Sequence, residues 1–176
     1  ATQNPIEQEG TDPVPEAQMD RFLMHVMVDY PAPHTEQLIL ALSRQETLKT
    51  ASATIAKIDQ ATLFTARQQV LQVHMSEPVE AYLVQIILAT RNSSDYGGDL
   101  ADWLDYGASP RATIALDRCS RALAWLDNRD YVTPDDVRSV AHDILRHRLI
   151  LSFEAEAAGV SANRVIDLLL RTVPSA

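Results

Sequence analysis

The chain opens with ATQNPIEQEGTDPVPEAQMDRF, residues 1–22, the stretch that decides how the rest of the sequence is interpreted. Thr, Gln, Asn, Glu and Arg side chains gather here around Pro and Gly residues, which favour turns. This composition is typical of a polar site carried on a loop and differs from that of a packed element, which needs an apolar face. We therefore expect the side chains of this segment to serve a site.

Asn4 is the first candidate site residue. Its amide has a donor and an acceptor at one tip, so it could hold an attacking water and a phosphate oxygen together without adding charge. The alternative is that Asn4 and Pro5 only form a turn, since Asn before Pro commonly starts one. On these two residues alone the turn is favoured, whereas the whole surrounding block favours the site.

Arg21 is the second candidate site residue, at the end of a short predicted helix. Its planar guanidinium stays protonated and suits the charge that develops on a transferring phosphoryl group. The alternative is a surface ion pair with Asp20 or Glu16, a kind of contact that contributes only about 0 to 1 kcal/mol.

Residues 107–112, GASPRA, form a second informative motif. Ser109 fits a helix N-cap and a proline follows at the first helical position, so Arg111 falls in the first turn. The helix dipole disfavours a cation there by roughly 0.3 to 1 kcal/mol. A bound anion would offset this cost, because free backbone amides and a guanidinium together suit a phosphate. The alternative is a solvated Arg111 paired with Asp105 or Asp117.

Both motifs resemble those of the MoxR family of AAA+ ATPases, in which the opening block usually reads ATQNP and then EGTYPLPEAQLDRF. The sequence departs from that wording at Asp12, Val14 and Met19. The GASPRA motif matches the family's wording, and so does LRHRL at residues 145–149. Agreement over some twenty polar and turn positions is more specific than one short motif.

The resemblance implies a role for each candidate residue. Asn4 would be sensor 1, Arg21 would be the arginine finger that acts on nucleotide held by a neighbouring subunit, and Arg111 would be sensor 2, which contacts the nucleotide. The implied cofactors are ATP and Mg²⁺. Both need a G-x-x-x-x-G-K-[ST] phosphate loop and magnesium-binding acids, which the sequence does not contain. We therefore expect a C-terminal portion of a longer protein, inactive as an ATPase when alone.

The expected fold class is mainly α, a helical lid bundle of an AAA+ ATPase preceded by a remnant of the α/β P-loop core. Residues 1–33 would be the end of that core, with a short helix and its last strand. That strand is predicted over Phe22–Asp29, because nearly continuous apolarity is typical of a strand buried on both faces. Residues 34–176 would be the all-helical lid that carries sensor 2.

Apolar spacing predicts the helices of the lid. They are expected over about 35–47, 60–73, 76–91, 110–126, 134–148 and 161–173. Ser76 and Thr133 are possible N-caps, and the cations at 146–148 suit a helix C-terminus. Residues 92–107 are predicted to be a loop anchored by Tyr96 and Trp103, since they are polar and contain glycine.

Composition limits the possible classes of protein. The 176 residues are 46% apolar, enough for one large helical domain or two small ones. A net charge of −9 argues against a nucleic-acid or anionic-membrane surface, and no apolar run is long enough to span a bilayer. The single cysteine, Cys119, is predicted to be a reduced core thiol, which suits a cytoplasmic protein. His142 and His147 do not share a helical face, so no zinc site is expected.

The whole protein is therefore expected to be an ATPase that assembles into a homo-oligomeric ring, a hexamer, with ATP between subunits. The resemblance further implies chaperone-like remodelling or maturation of a client, often alongside proteins with von Willebrand factor A domains. The alternative from another class is a non-catalytic helical protein-interaction module in which Asn4, Arg21 and Arg111 are only surface residues. A metal-dependent enzyme is not favoured, because the sequence lacks a ligand cluster.

Overall fold

The computed structural model describes Thr2, residues 15–48 and residues 56–175. The elements in chain order are α1 (Glu16–Met19), α2 (Pro33–Thr47), α3 (Gln60–Gln72), α4 (Glu77–Arg91), α5 (Ser93–Tyr96), α6 (Gly98–Trp103), β1 (Leu104–Tyr106), α7 (Pro110–Leu126), α8 (Pro134–Leu145), β2 (Ile150–Leu151), α9 (Phe153–Ala157) and α10 (Ala162–Thr172). The predicted mainly α fold is confirmed. No helix within the described ranges combines the length and apolarity that a membrane span needs.

The larger of two compact units comprises Ala1–His25 and Gln68–Ala176. In it α4, α7, α8 and α10 pack around one hydrophobic core. Fully buried side chains recur along these helices at the three-and-four spacing that the sequence showed. They include Leu83, Ile86, Ile87, Leu116, Ile144, Leu145, Ile166 and Leu169. Burial of each such side chain contributes about 1.5 to 3 kcal/mol, which makes this core the main support of the unit.

The starts of α7 and α8 are capped as predicted. Ser109 Oγ accepts a hydrogen bond from the Arg111 amide at 3.2 Å. At α8 the cap is reciprocal, because Thr133 Oγ1 accepts from the Asp136 amide at 3.4 Å and the Asp136 carboxylate accepts from the Thr133 amide at 2.7 Å. Asn128 lies between these helices with a φ of 57°, a left-handed conformation that glycine and asparagine favour.

Residues 92–107 are not the predicted loop. They form α5, α6 and β1, and β1 pairs antiparallel with β2. Gly97, with a φ of 64°, separates the two short helices, and Leu100 is fully buried in the core. The predicted anchors Tyr96 and Trp103 do pack against the core. Helices this short show no periodicity in a sequence and depend on tertiary contacts, which is why the pattern looked irregular.

The predicted strand over Phe22–Asp29 is also wrong, because none of these residues belongs to a strand. A strand needs a neighbour to share its backbone hydrogen bonds, and the two strands in the described part of the chain pair with each other. The His25 amide instead donates to the Asp143 carbonyl at 2.7 Å. Apolarity alone therefore did not decide the conformation of this segment.

The smaller unit comprises Val26–Arg67 and contains α2 and most of α3. Neither helix has a buried residue. Leu38, Ile39 and Leu42, which the sequence placed on one face of α2, are exposed by 65%, 49% and 56%. All three side chains of the predicted apolar stripe are therefore exposed.

The loop before α7 is fixed against the end of α4. Thr90 Oγ1 accepts from the Ala108 amide at 3.0 Å, and Arg91 Nε donates to the Ala108 carbonyl at 2.8 Å. A β-carbon on Gly107 would lie 2.4 Å from the Thr90 carbonyl oxygen, closer than a side chain is ever accommodated. The absence of a side chain at Gly107 therefore lets the two backbones meet and sets where α7 begins.

We predict that Gly107→Ala lowers the free energy of unfolding by about 2 to 3 kcal/mol, since the new methyl group meets backbone that cannot rotate away. Gly159→Ala is the control, because a β-carbon there meets open space and only the left-handed φ of 73° is disfavoured. It should cost about 1 kcal/mol. Urea unfolding measures both, and equal losses would contradict a steric role for Gly107.

Candidate functional site

The Asp20 carboxylate joins the ends of three helices. Asp20 follows α1, and its carboxylate accepts from Ser109 Oγ at 2.9 and 3.0 Å. It also accepts from Arg111 Nη1 at 3.1 Å and from Arg148 Nε at 3.0 Å. Ser109 and Arg111 begin α7, and Arg148 follows α8. The side chain of Asp20, which directly precedes Arg21, thus contacts the start of α7 and the residue three positions after the end of α8.

The two arginines on Asp20 differ in their exposure to solvent. The Arg148 side chain is 2% exposed, whereas the Arg111 side chain is 59% exposed. Burial by itself would raise the pKa of Asp20, but hydrogen bonds from Ser109, Arg111 and Arg148 outweigh it and lower the pKa. Asp20 is therefore an anion at neutral pH, with one buried and one accessible partner.

Arg148 also binds backbone carbonyl groups around Asp20. Its Nη2 donates to the carbonyls of Asp20, at 3.2 Å, and of Phe22. Its Nη1 donates to the Leu23 carbonyl at 3.3 Å and to Ile144 in the last turn of α8. The last contact confirms the predicted use of a cation at the end of this helix. Burial lowers the pKa of Arg148, and Asp20 partly offsets that effect. A guanidinium nevertheless remains charged in proteins.

The two residues before Arg148 hold the same segment. His147 Nε2 lies 3.3 Å from the Phe22 carbonyl and must donate, since a carbonyl can only accept. Arg146 Nη1 donates to the His25 carbonyl at 2.7 Å and pairs with Asp143 at 2.7 Å. Arg146, His147 and Arg148, hereafter the RHR triplet, therefore bind the backbone of residues 20–25 from consecutive positions.

His147 is buried, and its Nδ1 has no hydrogen-bond partner among the described residues. The His25 ring meets it edge-on at 5.8 Å between centroids. Burial lowers the pKa of His147, the charges of Arg148 and His25 lower it further, and the bond to Phe22 and the charge of Asp20 oppose the shift. His147 is therefore neutral in the folded chain under conditions where an exposed histidine would already be protonated.

We predict that the chain loses stability as the pH falls below about 6.5 toward the lowered folded pKa of His147. Between the usual value of 6.5 and its lowered folded pKa, His147 takes up a proton only in the unfolded chain, so acid favours unfolding. Each pH unit in that window costs about 1.4 kcal/mol. His147→Gln keeps a donor for Phe22 and should flatten this slope in urea unfolding, while the exposed His34→Gln should not. An unchanged slope in His147→Gln would refute the assignment.

Two of the three predicted site residues, Arg111 and Arg21, lie among the described residues. Arg111 pairs with Asp20 and not with Asp105 or Asp117, the partners considered from sequence; Asp117 pairs with Arg121. The anion expected to offset the helix dipole at Arg111 is thus a carboxylate of the same chain.

Arg21 is exposed and makes no side-chain hydrogen bond or ion pair with a described residue, so the considered pair with Asp20 is absent. The other considered partner, the Glu16 side chain, and Asn4 lie outside the described residues. The roles of Asn4, Arg21 and Arg111 stay predictions.

Sequence reasoning missed Asp20 and Arg148 as the centre of this arrangement. They are 128 residues apart, and one charged pair leaves no periodic signal. The only signal was indirect: Arg111 at a helix start required an anion.

We predict that Asp20→Ala lowers the free energy of unfolding by about 3 kcal/mol, because it leaves the buried Arg148 charge without its carboxylate. Arg111→Ala removes the accessible partner from the same carboxylate and should cost only about 0 to 1 kcal/mol. Thermal unfolding of both variants measures the difference. Equal costs would mean that the burial of Arg148 does not govern the strength of the contact.

Two family models match this chain. Residues 101–169 match the AAA lid domain, and residues 1–24 match the ATPase family associated with various cellular activities (AAA). The first range holds α7, α8 and Arg111, and the second holds Asn4, Asp20 and Arg21. Both ranges thus identify AAA+ ATPases as the class of this chain.

Similar proteins indicate which family of AAA+ ATPases this chain resembles. The chaperone MoxR1 of Mycobacterium tuberculosis is 39% identical over 98% of this chain and 45% of its own length. Protein MoxR of Paracoccus denitrificans is 32% identical over 99% of the chain and 54% of its own length. A solved structure from Cytophaga hutchinsonii, of a protein proposed to be an ATPase, is 40% identical with a TM-score of 0.91, over 99% of this chain and 52% of that one. The chain belongs to the MoxR family of AAA+ ATPases and spans about half the length of these relatives.

Proposed function

We propose that this chain is the part of a MoxR-type AAA+ ATPase that senses nucleotide and couples ATP binding and hydrolysis to chaperone-like remodelling or maturation of partner proteins. The observation that carries the proposal is Arg111, a 59% exposed guanidinium in the first turn of α7. The helix N-terminus adds a partial positive charge to it, and the two together suit a phosphate.

The proposed roles divide among three residues. Arg111 is sensor 2 and contacts the phosphates of ATP. Arg21 is the arginine finger, and its exposed guanidinium without a described partner is suited to reach nucleotide in a neighbouring subunit. Asn4 is sensor 1 and orients the attacking water through its uncharged amide.

We propose that residues other than Asn4, Arg21 and Arg111 provide most of the contacts to ATP and Mg²⁺. The 176 residues contain no G-x-x-x-x-G-K-[ST] phosphate loop, and the described residues hold no group of three or more acids, histidines or cysteines suited to a metal. When bound, Mg²⁺ neutralises charge on the phosphates. We propose that residues 1–33 complete the α/β core, that residues 34–176 form the lid, and that the chain alone does not hydrolyse ATP.

The proposed assembly is a homo-oligomeric ring, a hexamer in the cytoplasm, because a finger arginine acts across a subunit boundary. The name of the relative MoxR1, a chaperone, supports remodelling of a client. A client or a protein with a von Willebrand factor A domain is the proposed partner, with no nucleic acid, since the net charge is −9.

A second candidate is a non-catalytic helical interaction module. The specific observation in its favour is α2, whose apolar side chains Leu38, Ile39 and Leu42 are exposed. Exposed apolar helix faces are common docking surfaces for other proteins. In that case Arg21 and Arg111 would have no bearing on nucleotide turnover, and this difference separates the two candidates.

The test is ATP turnover by a protein that joins this chain to a phosphate loop and its magnesium acids. Arg21→Ala should lower kcat by about 10³-fold or more, as loss of a finger arginine does. Arg111→Ala should lower kcat/KM by roughly 10- to 100-fold, since it loses one charge-assisted phosphate contact.

Arg118→Ala is the matched control, an exposed arginine two turns further along α7. It should turn over ATP at the unaltered rate. If Arg21→Ala and Arg111→Ala do the same, the ATPase assignment of both residues fails and the interaction module is favoured.

A further inference from the structure

The two bonds that arginines make to Asp20 differ in how easily they can be released. Arg148 is 2% exposed, and its other donors bind backbone carbonyls. It cannot separate from Asp20 without leaving a buried charge unpaired. Arg111 is 59% exposed, and among the described residues its guanidinium pairs with Asp20. Its pairing costs little to break, because water replaces the carboxylate.

A nucleotide phosphate and Asp20 would compete for Arg111. Both are anions, and two unit charges about 4 Å apart repel by roughly 4 kcal/mol at the effective dielectric of a protein surface. Asp20 does not become unpaired when Arg111 leaves, because Ser109 Oγ and Arg148 Nε still donate to it. Release of Arg111 to a phosphate therefore leaves neither Asp20 nor Arg111 unpaired.

We propose that Asp20 is a positioning residue that holds Arg111 while no nucleotide is bound and yields it to a phosphate of ATP when nucleotide arrives. This inference rests on the proposed contact between Arg111 and nucleotide. Asp20 directly precedes Arg21, so each arrival of ATP removes one of the bonds that fix the base of the proposed finger. The lid and the finger segment thereby respond to the same phosphate.

The first test is a double-mutant cycle on the affinity of a non-hydrolysable ATP analogue, in a protein that joins this chain to a phosphate loop. Asp20→Asn keeps the shape and an acceptor for Arg148 but removes the competing charge, so the Kd should fall about threefold to fivefold. In an Arg111→Ala background the same change should lower the Kd less, because only the direct repulsion between Asp20 and the phosphate is then removed. Asp117→Asn, which removes the carboxylate paired with Arg121 on the same helix, should change neither background.

The outcomes separate this inference from the proposed function. If Arg111→Ala does not weaken binding, the proposed contact with nucleotide fails. If Arg111→Ala weakens binding but Asp20→Asn does not tighten it, or tightens it equally in both backgrounds, only the exchange at Asp20 is overturned.

A second test uses the unaltered sequence and so does not depend on the folding of Asp20→Asn. The unaltered chain is joined to a phosphate loop, and its structures are determined by electron cryomicroscopy with and without the ATP analogue. They give the distance from Asp20 to Arg111 and to Arg148. Arg111 should move out of hydrogen-bond range when the analogue is bound, while Arg148 stays near 3.0 Å. An Arg111 that keeps its bond to Asp20 in the bound state would overturn the proposal.

Discussion

The contacts that hold residues 20–25 against the helical core depend on a buried guanidinium. Arg148 lies between α8 and residues 20–25 and binds the Asp20 carboxylate together with three carbonyl groups of that segment. A charge with 2% exposure is tolerated only where nearly every donor has an acceptor, and segment 20–25 provides them. The segment in turn has few apolar contacts of its own, since Met24 is its one side chain packed against the core. Electrostatics and hydrogen bonds therefore hold the segment where hydrophobic burial does not.

The helical core supplies the fixed frame for this contact. Gly107 lets the loop before α7 meet the end of α4, and the two bonds to Ala108 fix where the helix begins. The position of Ser109 and Arg111 follows from that start. On the other side, the RHR triplet is aligned by the end of α8, whose buried face fixes the helix in the core. A carboxylate can then contact both helices because neither is free to move away.

Much of the fold could be predicted from the sequence, because helices with an apolar stripe and a cap signal themselves locally. Thr133 and Ser109 were recognised as caps from a few neighbouring letters. The strand over Phe22–Asp29 was wrong because strand formation is a property of a pair, and one sequence segment does not show whether its partner is present. In the candidate site, the need for an anion at Arg111 could be predicted. Its identity as Asp20 could not, because pairing across 128 residues is decided only by how the helices pack.

The sequence separation of Asp20 and Arg148 also orders the steps of folding. The contacts among α4, α7, α8 and α10 close shorter loops than the 128 residues between this pair, and loop closure becomes harder as the chain between two contacts lengthens. The helical core is thus expected to assemble first, with Arg148 still hydrated at its surface. Residues 20–25 then dock onto a preformed partner in a late event that excludes water from the arginine. We therefore expect this segment to detach in a partial opening while the helical core beneath it stays folded.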